Sequence, residues 1–371
     1  MSLPRSVPCV LVLFLGCATP PIEDDAPPRW EKLETEPAQD KQDDVSFVDA
    51  ETGWYVNSIG KIFHTVDGGR TWKEQVHKPG TYWRAIAFID ARRGFAGNLG
   101  PGAIEGFRTV MTSGDFKNLD DQVSITDPNL IYETTDGGRT WAPSKDHQKG
   151  RGGVCSMNVT RDAAGRATVW AGGRVTGPAF IFRWTEDRGW DSMTLKPYCG
   201  MVLDILFVDA DTGVVCAATD PDPAKAFASI LRTEDGGHTW NEVYRSTRPG
   251  ESVWKCHFPT RDVGYATIRS FVPDPKAALR YVLKTEDGGR TWREIILTED
   301  LDSRPQGVAF LTPEHGWVGT TSGGFETVNG GETWLRADLG RSINRIRIVN
   351  TTGGGAVIYA IGRDLCRLRL R

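Results

Sequence analysis

The sequence predicts an all-β chain folded as a single seven-bladed β-propeller of four-stranded antiparallel blades, and three observations carry that expectation. A turn motif containing Asp-Gly-Gly and ending in Thr-Trp recurs along the chain, and a Phe-centred strand motif recurs out of phase with it. Gly and Trp are abundant, at 42 and 13 of 371 residues, as short aromatic strands joined by tight turns require.

The first motif reads Thr65-Val66-Asp67-Gly68-Gly69-Arg70-Thr71-Trp72. Close copies run from Thr134 to Trp141, Thr233 to Trp240 and Thr285 to Trp292; Thr327 to Trp334 carries Asn329 in the Asp position, and Thr185 to Trp190 is a shortened copy around Asp187. The Trp residues at 72, 141, 190, 240, 292 and 334 lie 69, 49, 50, 52 and 42 residues apart, the period of a four-stranded blade with loop insertions. Asp67, Asp136, Asp187, Asp235 and Asp287 are placed to accept hydrogen bonds from turn N–H groups, and the glycines that follow permit positive φ, so each segment closes a hairpin. Thr and Trp then begin the next strand, the Trp ring packing between sheets. The motif residues are read as structural, not catalytic.

The second motif confirms the blade. Phe47-Val48-Asp49-Ala50 with Gly53, Phe88-Ile89-Asp90-Ala91 with Gly94 and Phe207-Val208-Asp209-Ala210 with Gly213 each end an apolar strand and turn into another; Phe258 with Gly264 and Phe310 with Gly316 keep the spacing. These are the innermost strand and first hairpin of each blade, and the Asp-containing turn joins the third and fourth strands. At the C-terminus, Ile343 to Val349, Ala356 to Ile361 and Leu365 to Leu370 supply three strands without such a turn. Trp30 to Leu33 is the natural fourth strand, closing the ring between the two chain ends and removing its open edges.

Ahead of the propeller the chain carries an address. Arg5 precedes the apolar run Val7 to Leu15, too short to span a bilayer and long enough for the core of a secretory signal over residues 1–16. Phe14-Leu15-Gly16-Cys17 resembles a bacterial lipobox, with Phe14 where Leu is usual and Leu15 where a small residue is usual; the resemblance implies acylation of Cys17 and membrane contact through the lipid. Residues 17–28 form a Pro-rich acidic tether, and 29–371 the propeller. The segment from Ala18 to Asp44 holds five Pro, nine acidic and three basic residues, a net −6 that exceeds the −4 of the whole chain and leaves the folded body near neutral. That balance names no nucleic-acid partner.

The pattern Ser/Thr-x-Asp-x-Gly-x-Thr-Trp resembles the Asp-box, or BNR repeat, of sialidases, xyloglucan hydrolases, sortilin-type receptors and photosystem II assembly and stability factors. A secreted single propeller with a box in almost every blade is most similar to the assembly factors. The resemblance implies the fold firmly and the function weakly, since those relatives include enzymes, receptors and chaperones. A sialidase also carries Arg-Ile-Pro in its first blade, and no Ile-Pro occurs here; the Asp-box xyloglucan hydrolases set two carboxylates across a cleft between two propellers, and this length holds one.

Site chemistry is sparse. No zinc-type Cys/His spacing, phosphate-binding Gly loop or nucleophile elbow occurs, and Asp220-Pro221-Asp222-Pro223 lacks the oxygen donors for calcium, so neither metal nor cofactor is expected. Past Cys17 the Cys residues are 155, 199, 216, 256 and 366, an odd number whose pairing the sequence leaves open; Cys155, Cys216 and Cys256 fall in strands and read as small buried hydrophobes. The long loops, Asn98 to Asn129, Asp220 to Ala228 and Ser270 to Ala278, all join second to third strands and so share the upper face, opposite the boxes. Basic and aromatic residues gather where the upper loops enter the inner strands: Trp83 and Arg84, Arg151, Lys196 with Tyr198, Trp254 and Lys255, Arg304, and Arg341. Such a collar would suit an acidic protein segment, a carboxylated ligand or lipid headgroups, using Arg forks and Trp faces. The sequence is therefore read as a monomeric, non-catalytic binding or assembly scaffold of the cell envelope, periplasmic or on the outer membrane, whose upper face meets a protein partner. A carbohydrate-active protein, hydrolase or lectin with a glycan ligand, is the competing reading.

Overall fold

The computed structural model describes residues 28–36, 41–101, 125–145, 153–173 and 179–370. The signal segment, Cys17, nearly all of the tether and Arg151 lie outside the described residues. Within them, 28 short strands form seven antiparallel sheets of four, one sheet per blade. The inner strands are Gln42–Phe47, Trp83–Phe88, Ser156–Arg161, Met201–Phe207, Glu251–His257, Pro305–Phe310 and Arg345–Asn350, in blades one to seven. Six sheets are built from strands consecutive in sequence. The seventh takes Arg345–Asn350, Ala356–Ile361 and Leu365–Leu370 from the C-terminal end and its outer strand, Glu31–Leu33, from the other, pairing Glu31 with Arg367 and Leu33 with Leu365. This is the expected closure.

The two sequence motifs meet in the core. Phe88 of blade two stacks on Trp54 of blade one at 3.5 Å between ring centroids, Phe207 on Trp170 at 3.5 Å, Phe310 on Tyr265 at 3.5 Å and Phe47 on Tyr359 at 3.8 Å. Each inner-strand Phe thus bonds one blade to its predecessor. The box Trp of the same blade meets that Phe edge-on, as in Trp72 with Phe47 at 6.0 Å and Trp240 with Phe207 at 6.1 Å. The glycine of the second motif makes room: a Cβ at Gly53 would lie 2.4 Å from the Phe47 ring.

The boxes are self-contained hydrogen-bonded turns. In the first, Thr65 Oγ1 donates to Asp67 Oδ1 at 2.8 Å and accepts from the Gly69 N–H at 3.0 Å, while Asp67 accepts from the Thr71 N–H at 2.9 Å and the Thr71 hydroxyl at 2.6 Å. The Gly68 N–H then reaches Glu51 O at 2.9 Å, tying the box to the first hairpin of its own blade. Gly68 and Gly69 have φ of 68° and 85°, which explains the paired glycines. With Asn329 the turn is unchanged, its amide oxygen accepting from the Thr333 N–H at 3.0 Å and its NH2 donating to Thr333 Oγ1 at 2.9 Å.

Candidate functional site

A propeller's inner strands surround an axial channel, and here that channel is filled by charge. Asp44, Ser156, Asp204, Lys255 and Arg345 occupy corresponding places on five inner strands, and Ser46, Asn158, His257 and Arg347 lie two residues further down. Part of each set braces neighbouring blades. Asp44 accepts from the Ile86 N–H at 3.3 Å and Asp204 from the Cys256 N–H at 3.1 Å. One level down, Ser46 Oγ accepts from the Phe88 N–H at 3.1 Å, Asn158 Oδ1 from Phe207 at 2.9 Å and His257 Nδ1 from Phe310 at 3.2 Å. His257 must therefore carry its proton on Nε2, and burial lowers its pKa to about 4, so the ring is neutral at pH 7.

The remaining groups pair across the channel. Arg345 of blade seven reaches blades three and four, its Nη1 lying 2.9 Å from Asp204 Oδ2 and its Nη2 donating to Asp204 Oδ1 at 3.0 Å and Ser156 Oγ at 3.1 Å. Arg347 Nη2 donates to both oxygens of Asp44 at 3.0 Å. Burial would raise the pKa of Asp204, but Arg345 and Lys255 outweigh it and hold the carboxyl well below the usual range. Lys255 Nζ donates to Leu203 O at 3.0 Å, and burial with the like charge of Arg345 brings its pKa down to about 7.

The collar expected at the upper mouth divides into two groups. Arg84, Trp254 and Lys255 do converge from blades two and five, but they are buried and seal the channel. Trp254 Nε1 donates to Asn344 Oδ1 at 3.0 Å, and Asn344 donates to the Asp43 carbonyl at 3.1 Å. The indole also lies 5.8 Å from the Arg84 guanidinium, 4.8 Å from that of Arg269 and 5.6 Å from Lys255 Nζ, while Arg84 pairs with Asp43. Trp83 is fully buried, packed edge-on against Tyr132 at 5.1 Å within its own blade. These four side chains are core, which corrects their placement on an exposed contact surface. Tyr198, Arg304 and Arg341 do lie in upper loops with exposed or half-buried side chains, Arg341 holding Asp364 through Nε at 2.9 Å and Nη2 at 3.0 Å. At the lower mouth the channel widens into a cavity of about 430 Å³ lined by Asn158, Asp204, Cys256, His257, Arg261, Arg345 and Arg347. Asp43, Asp44, Asp204, His257, Arg345 and Arg347 were not foreseen as site residues. The alternation Arg345-Ile346-Arg347 on an inner strand, putting two cations on one face, is the signal that marks them.

Comparison with known proteins agrees with the architecture. Residues 183–358 match the model of the BNR family described as photosynthesis system II assembly factor YCF48. The chain is a BNR-type propeller similar to the photosystem II assembly factors. The photosystem II assembly lipoprotein Ycf48 of Picosynechococcus sp. is 26% identical over 338 residues, spanning 83% of this chain and 89% of that one. The Ycf48 of a Synechococcus sp. is 24% identical, over 69% and 62% of the two chains. Among solved structures, YCF48 bound to D1 peptide superposes with a TM-score of 0.60 at 18% identity, covering 94% of this chain and 97% of the other. The GH74 enzyme of Niastella koreensis superposes at 0.57 with 14% identity, over 86% of this chain and 51% of that enzyme. At these identities both superpositions speak for the propeller fold alone.

Proposed function

We propose that this chain is a non-catalytic assembly scaffold of the bacterial envelope, anchored through Cys17, that holds a protein segment against the upper rim of its propeller. The observation that carries the reading is the likeness to the assembly lipoprotein Ycf48 along most of both chains. The channel chemistry supports it. Glycoside hydrolysis needs one carboxyl kept protonated near neutral pH beside a second that is ionised, whereas Asp43, Asp44 and Asp204 are each paired with an arginine. With Arg84, Trp254 and Lys255 enclosed, the rim offers Tyr198 and Arg304 instead, and a solved YCF48 binds a D1 peptide, which favours a peptide as the ligand class here.

Capture from native membranes by the immobilised protein, followed by affinity measurement with the partner recovered, tests the reading. Tyr198→Ala combined with Arg304→Glu should weaken the partner at least tenfold, about 1.4 kcal/mol, while Arg70→Glu with Arg290→Glu on the lower face should leave it unchanged. Equal losses from both pairs would remove the upper rim as the binding surface. Reproducible release of sugar from a glycan panel would establish the carbohydrate-active alternative.

A further inference from the structure

Blades four and five bring two thiols together where packing alone asks for none. Cys216 lies on the second strand of blade four, Gly213–Ala218, directly opposite Asp204, and Cys256 lies on the inner strand of blade five. Both sulfurs and an Asp204 oxygen lie within 4.8 Å of one another, all three side chains buried. Away from the channel the two thiols share an apolar cluster with Val214, Ile230, Val253 and Ile268.

A carboxylate beside two thiols suggests a metal, but Asp204 is already committed. Its oxygens accept from Ser156 Oγ, both Arg345 Nη atoms and the Cys256 N–H, which fills the four acceptor positions of a carboxylate. The two sulfurs are left with each other. We propose that Cys216 and Cys256 form an inter-blade disulfide, reached by an oxidant through the lower cavity.

The path is asymmetric. Cys256 belongs to the strand that borders the 430 Å³ cavity at the lower mouth and is 5% exposed, against 0% for Cys216, so it is the more accessible of the two. A low-molecular-weight disulfide, RSSR, entering the cavity meets Cys256 first. Cys256 gives its proton to water and its sulfur attacks one sulfur of RSSR, breaking that bond, forming a mixed disulfide and releasing one RS⁻, which takes up a proton. Cys216 then loses its proton, attacks the Cys256 sulfur and expels the second RS⁻, also protonated. Two thiols and RSSR become one protein disulfide and two RSH, two electrons passing to the small molecule. The product clamps the second strand of blade four to the inner strand of blade five, beside the Asp204–Arg345 pair. It bears on the scaffold itself and is independent of which partner the upper rim takes.

The test uses the full mature chain incubated with cystamine, followed by alkylation in denaturant and non-reducing peptide mapping. The expected result is a linked pair of Cys216 and Cys256 peptides, loss of two alkylatable thiols and a higher melting temperature that reductant reverses. Cys216→Ala should stop at the first step, with cysteamine trapped on Cys256, and Cys256→Ala should leave Cys216 unmodified; both are judged only where circular dichroism matches the parent. Full alkylation of both cysteines after incubation, or a linkage to a different cysteine, overturns the proposal. Trapping on Cys216 in the Cys256→Ala variant would overturn the order of attack and the route with it.

Discussion

Each Asp-box aspartate works through hydrogen bonds, and the charge is incidental to the fold of the turn. At Asp136 and Asp235 the hydroxyl and N–H of the Thr four residues on hold the carboxyl down to about 2, and at Asp67 and Asp287, where burial pulls the other way, the same bonds prevail. A lowered folded-state pKa adds stability that is complete above the unfolded value near 3.8 and is lost as pH falls through about 2. Asn329 makes the same turn without charge. Asp235→Asn should therefore keep its stability at pH 7 to within ~0.5 kcal/mol and remove this turn's share of acid sensitivity, while Asp235→Ala, which strands the Thr239 N–H and hydroxyl, should cost ~1 kcal/mol. Urea titrations at pH 7 and pH 3 check both; equal losses from Asn and Ala would show that charge matters after all.

At the level of elements, closure of the ring was legible in the sequence because Trp30 and Leu33 are the apolar residues of an otherwise polar segment, and Leu33 is indeed buried against Leu365. The blade count followed from two motifs whose residues turn out to touch, the inner-strand Phe and the box Trp. The channel was not legible, for a definite reason. Five inner strands carry a register shift near their start, between Gln42 and Asp44, Trp83 and Ala85, Val202 and Asp204, Val253 and Lys255, and Pro305 and Val308. The extra residue is Arg84 in blade two and Trp254 at the equivalent position of blade five, and it exchanges the faces of what precedes it, so Trp83 and Val253, one residue earlier, turn into their blades while Trp254 crosses the channel. Alternation alone cannot register that exchange. For the closing strand the consequence is measurable: deleting Ala18 to Gln39 should lower the melting temperature of the protein, and deleting Ala18 to Ala26 should not. Coincident melting curves would place closure elsewhere.

For the whole molecule, the channel makes a hub in which distant blades hold one another through buried charge. Lys255 titrates within it. Its pKa of about 7 against 10.5 in the unfolded chain means that the unfolded state binds the extra proton between those values, so this site makes stability rise with pH across that window. Lys255→Met should change the melting temperature relative to the parent by an amount that is constant below pH 6 and drifts between pH 7 and pH 10; parallel profiles throughout would contradict the lowered pKa. Arg345 has the larger mechanical part, because its two Nη atoms join blade seven to Asp204 and Ser156 on the far side while Nε lies 3.6 Å from Asp44. Removing one member of a buried pair leaves the other charge uncompensated and typically costs ~3 kcal/mol or more, whereas removing both costs much less than the sum. Arg345→Met should therefore unfold the protein at markedly lower denaturant. Asp204→Asn in the same background should recover part of that loss, since it removes the stranded charge and keeps an oxygen for the Cys256 N–H. A double variant as unstable as the two single losses added together would mean that Asp204 and Arg345 act independently and not as a pair across the channel.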